Sequence, residues 1–339
     1  MNLLTPQLLN KKNQQGLGQL ASFAIVIFWC VLVGLVMLNR QNIFDRWRLW
    51  HYHAPVAIAQ LATQDTMTSY ARKVFYVNEP AIDQKASFAA PCPNNGGEQT
   101  IVLGCYHSNQ KGIFLLSVND PRLDGVEQVT AAHEMLHAAY DRLSKNERDQ
   151  VDGWLMDYYK HDLKDPRLIA TMDSYKKTEP TEVVNEMHSV FGTEVANLPS
   201  KLEKYYRRYF TDRSKVTAYA AAYQGEFTSR QNTISRDDAQ LSTWKAQITA
   251  KESDLKTKLS QLNAEQSKLL GEKNRGDYTD YNNGVPTYNG LVNSYNSEVS
   301  SLKALINQYN QLVVSRNAVA LEQDQLANEL SNNTKPINQ

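Results

Sequence analysis

The sequence predicts a mainly α-helical protein: an α+β domain with a small β-hairpin or sheet, set between an N-terminal transmembrane helix and a C-terminal antiparallel helical hairpin. Three observations carry this reading. Leu20 to Leu38 contains no charged residue. Two β-rich runs, Thr100 to Cys105 and Gly112 to Val118, stand ahead of a helix-patterned apolar stretch. Beyond Gln224 the composition shifts to Gln, Asn, Ser and Lys while leucines recur every seven residues, the period of a coiled-coil seam. The divisions that follow are a polar tail at 1–19, a membrane helix at 20–39, a juxtamembrane segment at 40–68, a soluble domain at 69–224, the hairpin at 225–333 and a tail at 334–339.

At 1.5 Å per residue, Leu20 to Leu38 spans about 28 Å, the thickness of a hydrocarbon core, so residues 20–38 are expected to lie in a lipid bilayer. The run is long for a signal peptide and no small-x-small cleavage site follows it, so the chain is read as a single-pass membrane protein. Arg46, Trp47, Arg48, Trp50 and Tyr52 then suit the headgroup layer. Lys11 and Lys12 before the span and Arg40, Arg46 and Arg48 after it leave its orientation open. Cys92 and Cys105 flank a short Gly/Asn loop and could close a disulfide, which favours a domain outside the cytoplasm. The net charge is zero and no nucleic-acid-binding motif is present, so nucleic acid is not an expected partner.

Ala54 to about Tyr76 is patterned as helix, and His107 to Lys111 joins the two β-rich runs as a hairpin. Asn119-Asp120-Pro121 turns the chain into a helix expected to reach Leu143. Another spans Lys145 to Asp162 and stops at Asp165-Pro166.

Within the first of these helices, Val129 to Tyr140 reads V-T-A-A-H-E-M-L-H-A-A-Y. His133 and His137, four apart on a helix, project from one face and can share one metal ion. Glu134 beside them can take a proton from the water that a zinc ion activates. The surrounding residues are uncharged, so Glu134 needs such a partner to account for its burial.

A catalytic zinc site needs a third protein ligand. Asp141 sits too far along the helix axis and suits a supporting or surface position. The candidates lie in T178-E-P-T-E-V-V-N-E-M-H188, where Thr178 as N-cap and Pro180 in the first turn start a helix carrying Glu182 and Glu186 on one face. H133-E-M-L-H137 followed by E182-V-V-N-E186 resembles the gluzincin group of zinc metallopeptidases, in which a Glu from a second helix completes the site. The resemblance implies one Zn2+ held by His133, His137 and Glu182, with Glu186 orienting a histidine. Asn185-Glu186 also resembles the Asn-Glu pair of some members, which makes Glu186 the alternative ligand, and His188 is a further choice. In some members a tyrosine ahead of the ligand Glu assists the oxyanion. Tyr175, expected in a loop, is that candidate, with Tyr106, Tyr140 and His107 as others. H-S-V-F-G-T-E-V-A-N-L-P and L-E-K-Y-Y-R-R-Y-F look like a membrane-anchored bacterial family of metallopeptidase-like proteins of unassigned substrate.

In the C-terminal part Leu241, Ile248, Leu255, Leu262 and Leu269 form one seam. A break from Gly271 to Tyr288 follows, and Pro286 introduces a second helix, giving a hairpin of about 65 Å that could self-associate or hold a partner. The expected function is zinc-dependent hydrolysis of protein or peptide substrates. The alternatives are a tethered scaffold with a non-catalytic domain and a zinc amidase acting on cell-wall peptides.

Overall fold

The computed structural model describes residues 10–93, 102–108 and 112–331, with side chains from residue 22 onward. Its described residues form two compact units, one running to Ser117 and resuming over Glu127–Thr217, the other made of Val118–Val126 and the chain from Ala218.

The first unit opens with α1 (Asn10–His51), whose stretch from Ser22 is long and apolar enough to cross a membrane. The helix continues past the apolar run because no Gly or Pro occurs from Leu35 to His51. Over that second half one face docks. Asp45 is fully buried and pairs with Lys73 and Arg142, each at 2.9 Å. α2 (Val56–Gln64) and α3 (Ser69–Val77) follow. The helical pattern expected from Ala54 to Tyr76 is interrupted where Thr66 takes a φ of 54° and Thr68 caps α3 by accepting from the Ala71 N–H. Ile58, Leu61 and Ala62 of α2 are core residues, so this part of the expected juxtamembrane segment belongs to the domain.

Next come β1 (Ala81–Asp83), α4 (Lys85–Phe88), β2 (Gly104–His107) and β3 (Gly112–Leu116). The strands form one sheet in the order β1-β3-β2, with β1 parallel and β2 antiparallel to β3. The expected hairpin is the β2–β3 pair, and Thr100 and Ile101 lie outside the described residues. β1 is the addition: three residues are too few to show a strand period. A disulfide joins Cys92 to Cys105, Cα to Cα 5.9 Å, tying β2 to the chain beyond α4.

The rest of the unit is helical: α5 (Val126–Tyr140), α6 (Lys145–His161), α7 (Pro166–Thr178), α8 (Val183–Glu194) and α9 (Ser200–Tyr206). α5 ends three residues short of Leu143. Asp165-Pro166 is a start as well as a stop, because Asp165 accepts from the Arg167 and Leu168 N–H groups and Pro166 occupies the first turn. The segment expected to be loop is therefore α7, and Tyr175 lies on it. α7 uses Thr178 as its last residue, so α8 starts only at Val183 with Glu182 at its N-cap position. α8 lies close against α5 at Gly192, where a Cβ would come within 2.5 Å of Leu136 Cδ1. Its C-terminal end is held by Arg213, which donates to the carbonyls of Gly192 and Val195 and pairs with Glu203.

The second unit is built on α11 (Tyr278–Leu330) and on α10 (Arg213–Arg275) from Ala218 onward. They run antiparallel: Arg230 meets Glu322, Asp238 meets Arg316 and Lys251 meets Glu298. Ile234, Leu262, Leu269, Leu326 and Leu330 are buried. The break expected from Gly271 to Tyr288 shrinks to Gly276-Asp277, with Gly276 at φ 79°, the left-handed position that glycine takes just past a helix end. Pro286, expected to open the second helix, lies inside it. At 53 residues α11 is about 80 Å long, longer than the expected arm.

Candidate metal centre

α5 is buried nearly all round. Ala131, Ala132, Met135, Leu136, Ala138 and Ala139 are no more than 1 % exposed, and the four alanines let neighbouring elements approach its backbone. The edge left over carries His133 and His137, whose Nε2 atoms stand 2.9 Å apart.

Glu186, on the first turn of α8, joins them. Its Oε1 lies 3.4 Å from His137 Nε2 and its Oε2 3.6 Å from His133 Nε2. These three side chains form a group that could hold a metal ion, their ligand atoms all within 4.8 Å of one another. The preference for Glu182 is corrected here. That preference rested on Glu186 being followed one turn later by Val190 rather than by an acid, within a helix expected to begin near Thr178. With α8 beginning at Val183, Glu182 is exposed at the helix mouth and Glu186 is the carboxylate within reach.

Glu182 acts one step back. The His137 Nδ1–H donates to Asn185 Oδ1 at 2.9 Å, and Asn185 Nδ2 donates to Glu182 Oε2 at 3.3 Å. A carboxylate only accepts, so Glu182 fixes which way the Asn185 amide points. Asn185 in turn fixes the His137 tautomer and leaves Nε2 as a lone pair facing the group.

The residues fit zinc. Zn–N and Zn–O bonds of about 2.0–2.2 Å in a tetrahedron put ligand atoms roughly 3.4 Å apart, and each imidazole Nε2 already stands near that distance from one Glu186 oxygen, His137 from Oε1 and His133 from Oε2. The Nε2–Nε2 approach is closer, and two facing lone pairs at 2.9 Å repel unless a proton or a cation lies between them. Glu186 Oε2 is a buried oxygen that makes no short hydrogen bond among the described residues, and a cation between it and the imidazoles would satisfy it. Burial alone would raise the Glu186 carboxyl, but His137, His133 and the Tyr175 hydroxyl outweigh it and hold the pKa below its ordinary value. The carboxylate is thus kept in the anionic form that binds metal.

Glu134 follows His133 on α5 and is 6 % exposed. β2 passes directly over it: a Cβ on Gly104 would fall 2.9 Å from Glu134 Oε1 and 2.5 Å from Thr130 Cγ2. Only glycine allows that approach. Tyr175 reaches the centre from α7, bonding Glu186.

The other candidates have separate work. His188 is fully buried, with Nε2 at 2.9 Å from the Tyr205 hydroxyl, and lies outside the group. Burial pushes its pKa down to about 3. The Tyr106 hydroxyl donates to Asp141 at 3.1 Å and the Tyr140 hydroxyl to Asp152 at 2.8 Å, while His107 Nε2 bonds the Pro91 carbonyl. Sequence reasoning missed the roles of Asn185 and Gly104. Asn185 carried a signal, a side-chain amide next to the ligand carboxylate, whereas nothing local marks Gly104. No protein-family model, curated protein or solved structure matches the chain, so its chemistry rests on the residues of the centre themselves.

Proposed function

We propose that the chain is a membrane-anchored zinc-dependent peptidase with its domain outside the cytoplasm. One observation carries the reading: His133, His137 and Glu186 converge from two helices on a single point beside a buried glutamate that follows the first histidine. Bound there, zinc would lower the pKa of water and polarise a peptide carbonyl. Glu134 takes the proton of the attacking water and passes it to the leaving amine. In this reading Tyr175, which interacts with Glu186, donates instead to the oxygen on which charge develops. Among the described residues β2 is an edge strand with Gly104 against Glu134, so an extended peptide pairing with that edge would run past the general base.

The Cys92–Cys105 disulfide supports an oxidising compartment, and the apolar part of α1 supports bilayer anchorage. The test is zinc-dependent hydrolysis of an unfolded protein substrate by the full chain, compared with Glu134→Gln. The variant is expected to bind zinc as the parent does and to lose at least about a hundredfold in rate, the scale of general-base catalysis. Equal rates for the two would remove Glu134 from the reaction.

A further inference from the structure

The half of α1 beyond the apolar run is fixed to the domain that holds the metal centre. Asp45 is fully buried and bridges three elements: Lys73 of α3 at 2.9 Å, Arg142 just past α5 at 2.9 and 3.0 Å, and Gln41 of its own helix at 2.9 Å. Arg48 adds an ion pair to Glu79 at 3.1 Å, and the Tyr52 hydroxyl donates to the Pro80 carbonyl at 3.2 Å. α1 is one continuous helix to His51, with no Gly or Pro after Gly34. The apolar span and the docked half therefore share one rigid rod, and no hinge lets the domain swing away from the bilayer.

Beside and away from the clamp the docked half carries exposed Phe44, Trp47 and Trp50, with Arg46 between them. Aromatic rings interleaved with arginine settle at the headgroup layer, which puts Asp45 at that level. The chain path from Asp45 to the centre is short. It crosses the Arg142 side chain and then five residues of backbone to His137, under about 30 Å at full reach.

Resting on the peptidase reading above, we infer that the substrates are membrane-tethered polypeptides, cut in the extended segment that emerges from the bilayer, within about 20 to 30 Å of its surface. At about 3.3 Å per extended residue that range corresponds to fewer than ten residues of chain. The clamp and the unbroken helix are both independent of which metal the centre takes.

The experiment co-reconstitutes the zinc-loaded full chain in lipid nanodiscs with single-span reporters. A cleavable unstructured segment is set off from the reporter's membrane span by rigid polyproline spacers that lengthen two residues at a time, in steps of about 6 Å. The expected result is rapid cleavage with the shortest spacers and at least about a tenfold fall once the spacer exceeds 40 Å. A second variant inserts two helical turns, about 11 Å, after Leu38. It leaves the clamp and the centre untouched and should move the preferred spacer outward by that length. Rates that are flat across the spacers, or matched by the same segment free in solution, overturn the inference and leave the peptidase reading standing. A preferred spacer unchanged by the insertion also overturns it. No cleavage of any substrate above the Glu134→Gln background removes both readings.

Discussion

At the residue scale, the centre depends on a division of labour between two carboxylates one helical turn apart. Glu186 faces both imidazoles, whereas Glu182 holds Asn185, which holds His137. Removing Asn185 should leave a zinc site of the same composition, weakened by about 10- to 100-fold, as expected when a group that orients a ligand is lost. Competition with a chelator of known affinity measures this for Asn185→Ala. A second expectation concerns Asp65, which is fully buried with neither carboxylate oxygen hydrogen-bonded among the described residues. Burial raises its pKa well above the ordinary value. Between the unfolded and folded pKa values the native state keeps a proton that the unfolded state has released. The stability Asp65 contributes is therefore full below about pH 3.9 and is lost as pH rises through the raised folded value. Asp65→Asn should be more stable than the parent at pH 8, by about 1 to 2 kcal/mol, and the gain should vanish near pH 4. Thermal melts at the two pH values check it, and an equal midpoint for both proteins at pH 8 contradicts it.

At the element scale, β2 and α8 position the chemistry. Gly104→Ala would force β2, Glu134 or Thr130 to move, since no side chain fits the space over Glu134. Zinc content should survive this change while turnover falls by at least about tenfold, because a misplaced base is costly. Metal analysis beside a rate measurement separates these effects. Arg213 anchors the far end of α8 through several carbonyls and Glu203. Arg213→Met, which leaves a partly buried carboxylate unpaired, should cost about 3 kcal/mol in denaturant unfolding. The sequence displayed α5 plainly, because four-residue histidine spacing within an apolar run survives any placement of the ends. It displayed α8 less well. Thr178 and Pro180 form a plausible helix start, and only the tertiary continuation of α7 through Thr178 moves the true start to Val183. That shift exchanges the roles of Glu182 and Glu186. Gly104 was illegible for a similar reason: its value lies in what passes beneath it, from residues far along the chain. In the second unit Pro286 misled, since proline marks a helix start only in the first turn, whereas here Gly276 sets the boundary.

At the scale of the whole molecule, the apolar N-terminal helix, the disulfide-pinned strand and the His133–His137–Glu186 group belong to one compact unit. A ligand that binds only the folded state stabilises it by mass action, so saturating zinc should raise the unfolding midpoint. At a thousand times its dissociation constant the gain is about 4 kcal/mol. Chelation should reverse it, while the hairpin unit, which lacks the cluster, should melt unchanged. Bound metal is the plainest measure of what the His133–His137–Glu186 group is. Full-length protein and its Glu182→Ala and Glu186→Ala variants would be loaded with zinc, freed of excess and analysed for bound metal and for folding. The account predicts about one zinc per chain in the parent, close to that in Glu182→Ala, and none in a folded Glu186→Ala. A folded parent that holds no zinc, or a Glu186→Ala variant that holds it as tightly as the parent does, would contradict it.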